Sequence, residues 1–215
     1  MLNNQPILIK PTRHEDERGF FSETYSRRRY RNLGVNVDFL QDNHSFSRES
    51  GTLRGLHFQA PPNAQGKLVR CGKGAIFDVA VDIRKGSSTF GHWKGYELTE
   101  ENGHQLYVPI GFAHGFVTLK PKSEIIYKCS SYYAPQAEGS IRWDDPSIGI
   151  DWPLSENVIL NTVLTNRPLV NYQRGSGEEK RIMYTGITRA AKRLFLRNDL
   201  VTITVDKPIS QLFIN

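Results

Sequence analysis

From Gly51 to Tyr133 the chain runs in short apolar stretches broken by glycine-bearing turns, with almost no room between them for helix. TLRGLHFQ (Thr52–Gln59) alternates strictly, the mark of a strand with one buried face. In a regular strand Leu53, Gly55, His57 and Gln59 point one way, and Arg54, Leu56 and Phe58 the other. KLVRCGKGAIFDVAVDIR reads as two strands split by the hairpin-like break Gly72-Lys73-Gly74. WKGYELTEENGHQLYVPIGFAHGFVTL gives two or three more, divided at Glu101-Asn102-Gly103, and SEIIYKCSSYYAP another. This density of strands predicts an all-β antiparallel sandwich or barrel.

The flanks carry less pattern. Pro6-Ile7-Leu8-Ile9 is a short apolar run, Arg18-Gly19-Phe20-Phe21 a turn into a strand, Ser26–Leu33 a short helix stopped by Gly34, and Val37–His44 another strand. Beyond Trp152-Pro153 periodicity fades, and Gln173–Lys180 (QRGSGEEK) reads as a flexible linker. TGITRAAKRL carries only one glycine of the G-x-G-x-x-G pattern, too few to bring a backbone against a pyrophosphate. At 215 residues the expected organisation is one domain over 1–170 and a linker with extension over 171–215.

Charge narrows the partners. The formal net charge is +6, but the residues from Asn171 onward hold eight Lys or Arg against four Asp or Glu, so the body is close to neutral. That argues against a nucleic-acid stripe, while leaving scattered arginines free to hold a small phosphorylated ligand. No apolar run is long enough to span a bilayer and no signal pattern opens the chain, so it reads as cytoplasmic. Cys71 and Cys129 fall in strand-like runs and read as buried free thiols.

The most specific spacing is Gly103-x5-Pro109-x-Gly111-x2-His114, which resembles the second signature of the cupin β-barrels, with Thr118 where that pattern usually has Asn. The first cupin signature supplies H-x-H and a Glu to a metal. Here the matching run is His57-Phe58-Gln59 with no Glu following, so the pocket is read as metal-free. A barrel holding two histidines and no metal suggests proton transfer.

DERGFFSETY, QDNHS, LRGLHFQ, KLVRCGKGAIFDVAVDIR, TFGHW, QLYVPIGFAHGF, YKCSSYYAP and IRWDDPSIGIDWP together resemble the dTDP-4-dehydrorhamnose 3,5-epimerase family, in order, from about Ile7 to Pro153. The resemblance implies a cupin jelly-roll barrel, no cofactor, a homodimer with exchanged strands, and a dTDP-linked 4-keto-6-deoxyhexose epimerised beside its ketone. It implies His57 as base, Lys67 against the enolate oxygen, Tyr133 as the acid on the opposite ring face, and His114 as a second donor to that oxygen. Arg18 and Arg54 match diphosphate contacts, and Phe20, Glu23, Gln41 and Asn43 match ligand-lining positions. Arg54 faces away from His57 in a regular strand, so sharing one pocket requires a strand end, a bulge or a neighbouring subunit.

The family also pairs its base histidine with an Asp near the C-terminus, whereas no acid occurs here between Asn157 and Gly177. Asp78 or Asp82 could stand in. The absence leaves two alternatives to a two-site epimerase: a single-site epimerase or ketoisomerase on the same substrate, or a non-catalytic sugar-nucleotide-binding cupin.

Overall fold

A computed structural model describes residues 4–154 and 158–160, and the backbone alone of 171–173 and 180–182. In chain order it contains β1 (Ile7–Ile9), β2 (His14–Asp16), β3 (Gly19–Phe21), α1 (Arg27–Asn32), β4 (Gln41–Ser47), β5 (Thr52–Gln59), β6 (Lys67–Lys73) and β7 (Ala75–Asp82). There follow β8 (Trp93–Thr99), β9 (Gln105–Val108), β10 (Phe112–Thr118), β11 (Ser123–Cys129), β12 (Glu138–Ser140) and β13 (Ile159–Leu160), then β14 (Asn171–Gln173) and β15 (Lys180–Ile182), which pair with each other. Residues 174–179, most of the expected linker, lie outside the described residues, as does most of the extension.

Two antiparallel sheets make the body, one ordered β1-β9-β6-β11-β4 and the other β12-β5-β10-β7-β8, with β13 added in parallel to β5. Between them lies a core drawn from both: Val69, Leu106 and Ile125 from the first, Ile76, Leu98 and Phe116 from the second. Leu53, Leu56, Val79, Val81 and Val117 instead cover the outer face of the second sheet, where Ile141, Ile148 and Trp152 roof them. The IRWDDPSIGIDWP run is therefore a lid on that sheet. On the outer face of the first sheet, Tyr30 of α1 and Val35 pack on Leu68 and Tyr107.

Chain order and sheet order differ in one informative way. Gly72-Lys73-Gly74 is not a hairpin: β6 pairs with β9 and β11, and β7 with β10 and β8. The break carries the chain from one sheet to the other, with Gly74 in the left-handed region (φ +78°) and its Cα face pressed on Ser123. A glycine break signals a reversal but cannot say which partner the next strand will find. The predicted strand at Val37–His44 is shifted too, beginning only at Gln41 and running to Ser47.

The second departure sets up everything that follows. Along β5 and β10, His57 opposes His114 and Arg54 opposes Phe116, so three steps on β5 match two on β10. This is a β-bulge, and it reverses the alternation in mid-strand. Leu53, Leu56 and Phe58 all reach the outer core, while Arg54 stands opposite inward-facing Phe116 with its Nε 3.4 Å from the Ser47 hydroxyl of β4. The even alternation expected for Thr52–Gln59 is thus wrong by one residue. Arg54 and His57 share a face because of it.

Glycine makes the bulge possible at two positions. Gly55 adopts φ +126°, and a Cβ there would lie 2.5 Å from Gly115 Cα. A Cβ on Gly115 would lie 2.8 Å from the Arg54 carbonyl oxygen and 3.1 Å from Gly55 Cα. Gly115→Ala should therefore cost about 1–3 kcal/mol through backbone displacement, read as a lowered urea midpoint. A change under about 0.5 kcal/mol, within the range of an ordinary surface substitution, would show that the two strands are not in such close apposition.

Candidate active site

A cavity of about 300 Å³ opens between the two sheets. Its walls come from strands that alternation and register bring together. Gln41, Cys129 and Lys67 are direct cross-strand partners on β4, β11 and β6, and Asn43 and Tyr127 stand opposite each other in the next row. Facing them, from the second sheet, is His57, with His114 beside it on β10. The Tyr133 and Glu138 side chains complete the lining where the chain leaves β11 and returns as β12.

The electrostatics of this cavity are cationic. Burial, then Lys67, His114 and Arg54, push the His57 imidazole down to about 4 from its usual 6.5, so the ring is neutral near pH 7 and keeps a free lone pair. No hydrogen bond to that ring is formed among the described residues. Lys67 is also pushed down, by burial, and Cys129, Asp78 and Glu138 oppose the shift. Burial pushes the Tyr127 phenol up, reinforced by Cys129, while Arg54 pulls it back. The Cys129 thiol is raised as well, again by burial, so Cys129 stays a thiol that accepts from the Asn43 amide at 3.5 Å.

The two aspartates left unassigned by sequence now have places. Asp78 lies on the inward face of β7, fully buried, and one of its oxygens accepts from His114 Nε2 at 2.8 Å. Its other oxygen has no hydrogen-bond partner among the described residues and adds negative potential near Lys67. Asp82 holds Arg84, Ser87 and Thr89 and so clamps the loop after β7. Neither carboxylate partners His57, and the acid-free stretch after Asn157 lies largely outside the described residues.

Five of the predicted site residues line this one cavity: His57, Lys67, Gln41, Asn43 and Tyr133. Arg54 joins the same inner face through the bulge, and His114 adjoins His57. Arg18, Phe20 and Glu23 are not brought there by their own chain. They sit on and after the hairpin β2–β3, with the Arg18 side chain 90% exposed and paired to Asp16, Phe20 57% exposed, and Glu23 paired to Arg29. Sequence reasoning missed Tyr127, Cys129, Gln65 and Glu138. Tyr127 had a signal, since it alternates with the buried Ile125 and Cys129 in SEIIYKC. Tyr133 lies at the mouth, 54% exposed, its hydroxyl donating to Glu138 at 2.9 Å.

A profile of the family described as dTDP-4-dehydrorhamnose 3,5-epimerase matches residues 4–168. The chain belongs to this family. It is 52% identical over 166 residues to the dTDP-4-dehydrorhamnose 3,5-epimerase of Salmonella typhimurium, covering 77% of this chain and 90% of that one. It is similar in structure (TM-score 0.69, 50% identity) to a dTDP-6-deoxy-D-glucose-3,5-epimerase from Legionella pneumophila solved in complex with dTDP-4-keto-L-rhamnose, over 72% of this chain and 82% of that one. A third likeness, at 32% identity and TM-score 0.67 over 74% of this chain and 79% of the other, is to ChmJ, a 3'-monoepimerase of Streptomyces bikiniensis. That protein was solved with dTDP as a double mutant whose replaced histidine and tyrosine lie seventy residues apart in its chain. The body of the present protein is accordingly a cupin-type jelly roll.

The depressed imidazole has a consequence for stability. Unfolding returns His57 to an ordinary value near 6.5, so between that pH and about 4 the unfolded chain binds the extra proton and the folded state weakens as pH falls. The urea midpoint should decline over that window, and His57→Gln should flatten the decline. An unchanged slope in the variant would mean that the ring is not held neutral.

Proposed function

We propose that this protein epimerises a dTDP-linked 4-keto-6-deoxyhexose by proton abstraction and reprotonation next to the ketone, without a cofactor. The observation that carries the reading is one cavity with His57 on one wall and Lys67 and Tyr127 on the facing wall. A hydrogen α to a ketone is weakly acidic, so its removal needs a neutral base held against it. His57 supplies one, taking the proton as the electron pair moves into the enolate. Lys67 faces the negative charge that develops on the 4-keto oxygen. His114, braced by Asp78, adjoins His57 as a further partner for that oxygen. A tyrosine then returns a proton to the carbon from the opposite ring face, and exchange with solvent resets both groups.

Of the two tyrosines, Tyr127 suits the acid better than Tyr133. It belongs to the sheet opposite His57, and the pair stands at the same seventy-residue separation as the histidine and tyrosine replaced in ChmJ. Tyr133, six residues further on at the mouth, then presents its ring to the nucleotide base. Arg54 reaches the diphosphate from the inner face, its fork suited to two phosphate oxygens. The dianionic diphosphate offsets the cationic charge that depresses His57 and so strengthens the base when substrate binds.

Arg18, Phe20 and Glu23 enter the site from a second copy of the chain, through exchange of the exposed β2–β3 hairpin in a homodimer. Support comes from that hairpin pairing with no other strand among the described residues and from β4 standing there at the edge of its sheet. The free buried thiols Cys71 and Cys129 suit a reducing, cytoplasmic setting, and no helix among the described residues is long and apolar enough to cross a membrane.

Proton NMR of the 4-keto sugar nucleotide in heavy water tests the assignment. His57→Asn should lower deuterium incorporation by about 10²-fold or more. Tyr127→Phe should retain exchange but lose inversion, whereas Tyr133→Phe should mainly raise KM. Loss of inversion in Tyr133→Phe alone would exchange the two tyrosine roles, and wild-type exchange in His57→Asn would remove the base assignment.

A further inference from the structure

Three glutamines line the cavity: Gln41 on β4, Gln59 at the end of β5 and Gln65 just before β6. Each makes at least one hydrogen bond to backbone, and Gln41 Nε2 also donates to the Asn43 side-chain oxygen at 2.9 Å. Gln59 donates from Nε2 to the Asn63 carbonyl at 2.6 Å and the Tyr132 carbonyl at 3.2 Å, and its Oε1 accepts from Ala134 N–H at 2.9 Å. Gln65 Nε2 donates to the Ser131 carbonyl at 2.7 Å, and Gln41 Oε1 accepts from Tyr133 N–H at 3.0 Å. Four consecutive residues, Ser131 to Ala134, are thus held by side chains from three separate parts of the fold. Just before them, Ser130 N–H donates to the Gly66 carbonyl and Gly66 N–H to the Ser130 hydroxyl.

The chemistry of these contacts singles out glutamine. The turn presents carbonyl acceptors at Ser131 and Tyr132 and N–H donors at Tyr133 and Ala134, and a buried side chain that serves both kinds must itself be donor and acceptor. Gln59, which is buried, needs two donated hydrogens and one accepting oxygen. A carboxylate has no hydrogen to give, and a neutral imidazole has one of each. An amide also adds no charge to a cavity that already holds Lys67 and Arg54.

We infer that Gln59 and Gln65 are positioning residues that act through Tyr133, pinning the Ser131–Ala134 turn so that the Tyr133 ring stands over the cavity mouth. Gln59 occupies the place at which the cupin signature carries its second histidine. Here that position holds the turn. The inference rests on the reading of Tyr133 as part of the nucleotide-sugar site, but the clamp itself can be measured without turnover.

Amide hydrogen exchange on the wild-type protein gives the first measure. The Tyr133 and Ala134 amides should be protected although the Tyr133 residue is 54% exposed, and Gln59→Met should release Ala134 at least tenfold. Gln59→Glu, which keeps the acceptor but sets a carboxylate against two carbonyls, should release the turn as well. Affinity for dTDP should fall about tenfold in Gln59→Met, and by less than twofold when the same change is made in a Tyr133→Ala background. Additive losses in the two backgrounds, or wild-type Tyr133 and Ala134 amides exchanging at unprotected rates, would overturn the clamp. If Gln59→Met does not fold, Gln65→Leu offers a milder variant, with Ser131–Ala134 exchange as the readout: faster exchange upholds the clamp and unchanged exchange rejects it. Wild-type protein that shows the protection but binds no dTDP would refute the site reading and leave the clamp standing.

Discussion

The close apposition of Gly55 and Gly115 is the constraint on which the cavity depends. The second sheet has two demands on β5 that a regular strand cannot meet together. Leu53, Leu56 and Phe58 must reach the outer face to pack beneath Ile141, Ile148 and Trp152, and Arg54 and His57 must reach the inner face. Three apolar residues at spacings of three and two, and two polar ones three apart, fit a strand only if one residue is extra. The bulge supplies it, and only backbones without Cβ atoms can come so near one another there. Core packing and site geometry are solved by the same local irregularity.

From that placement the charge of the cavity follows. With Arg54 turned inward, His57 faces three cationic or potentially cationic neighbours and sits in a half-dry space, and its neutral form is favoured by both effects. Lys67 is held beside Cys129 and within the influence of Asp78, whose second oxygen lies in the interior with no hydrogen-bond donor among the described residues. Such a cavity is poorly suited to a neutral sugar and well suited to one carrying a diphosphate. A diphosphate held there by charge would also restore basicity to the imidazole. Binding and acid–base readiness are then one electrostatic event.

Much of this was legible in the sequence, and the failures have physical causes. Alternation found nearly every strand of the body, because a residue between two sheets must be apolar on one side whichever strand lies beside it. His57, Lys67, Gln41 and Asn43 could be nominated because they recur in runs that resemble a known family. Which strands would pair was not legible. Gly72–Gly74 announces a reversal, and only the competition among β9, β10 and β11 decides that β6 and β7 part company. Faces failed at the bulge, since a glycine inside an alternating run signals close approach without saying that the count shifts. Tyr127 shares the face of Ile125 and Cys129 by alternation, but what sets it against the cavity is its register with Asn43 and Val69, far away in the chain. Arg18, Phe20 and Glu23 could not be located from one chain, since its own fold leaves them on an exposed hairpin.

On the proposed mechanism, His57 and Gln59 divide the labour in turning the jelly roll toward proton transfer. Both side chains point inward from the end of β5, two residues apart, in the run where a metal-binding cupin places two ligands. A ligating imidazole gives its lone pair to the metal and has none left to accept a proton from carbon. In this chain the neighbouring groups are already committed: His114 Nε2 to Asp78, and the Gln59 oxygen to Ala134 N–H. Among the described residues no cluster of three or more histidine, cysteine or acidic side chains gathers around His57. Among the described residues the imidazole that remains has no hydrogen-bond partner, and it is neutral near pH 7 and enclosed, the properties that the proposed proton abstraction requires of its base.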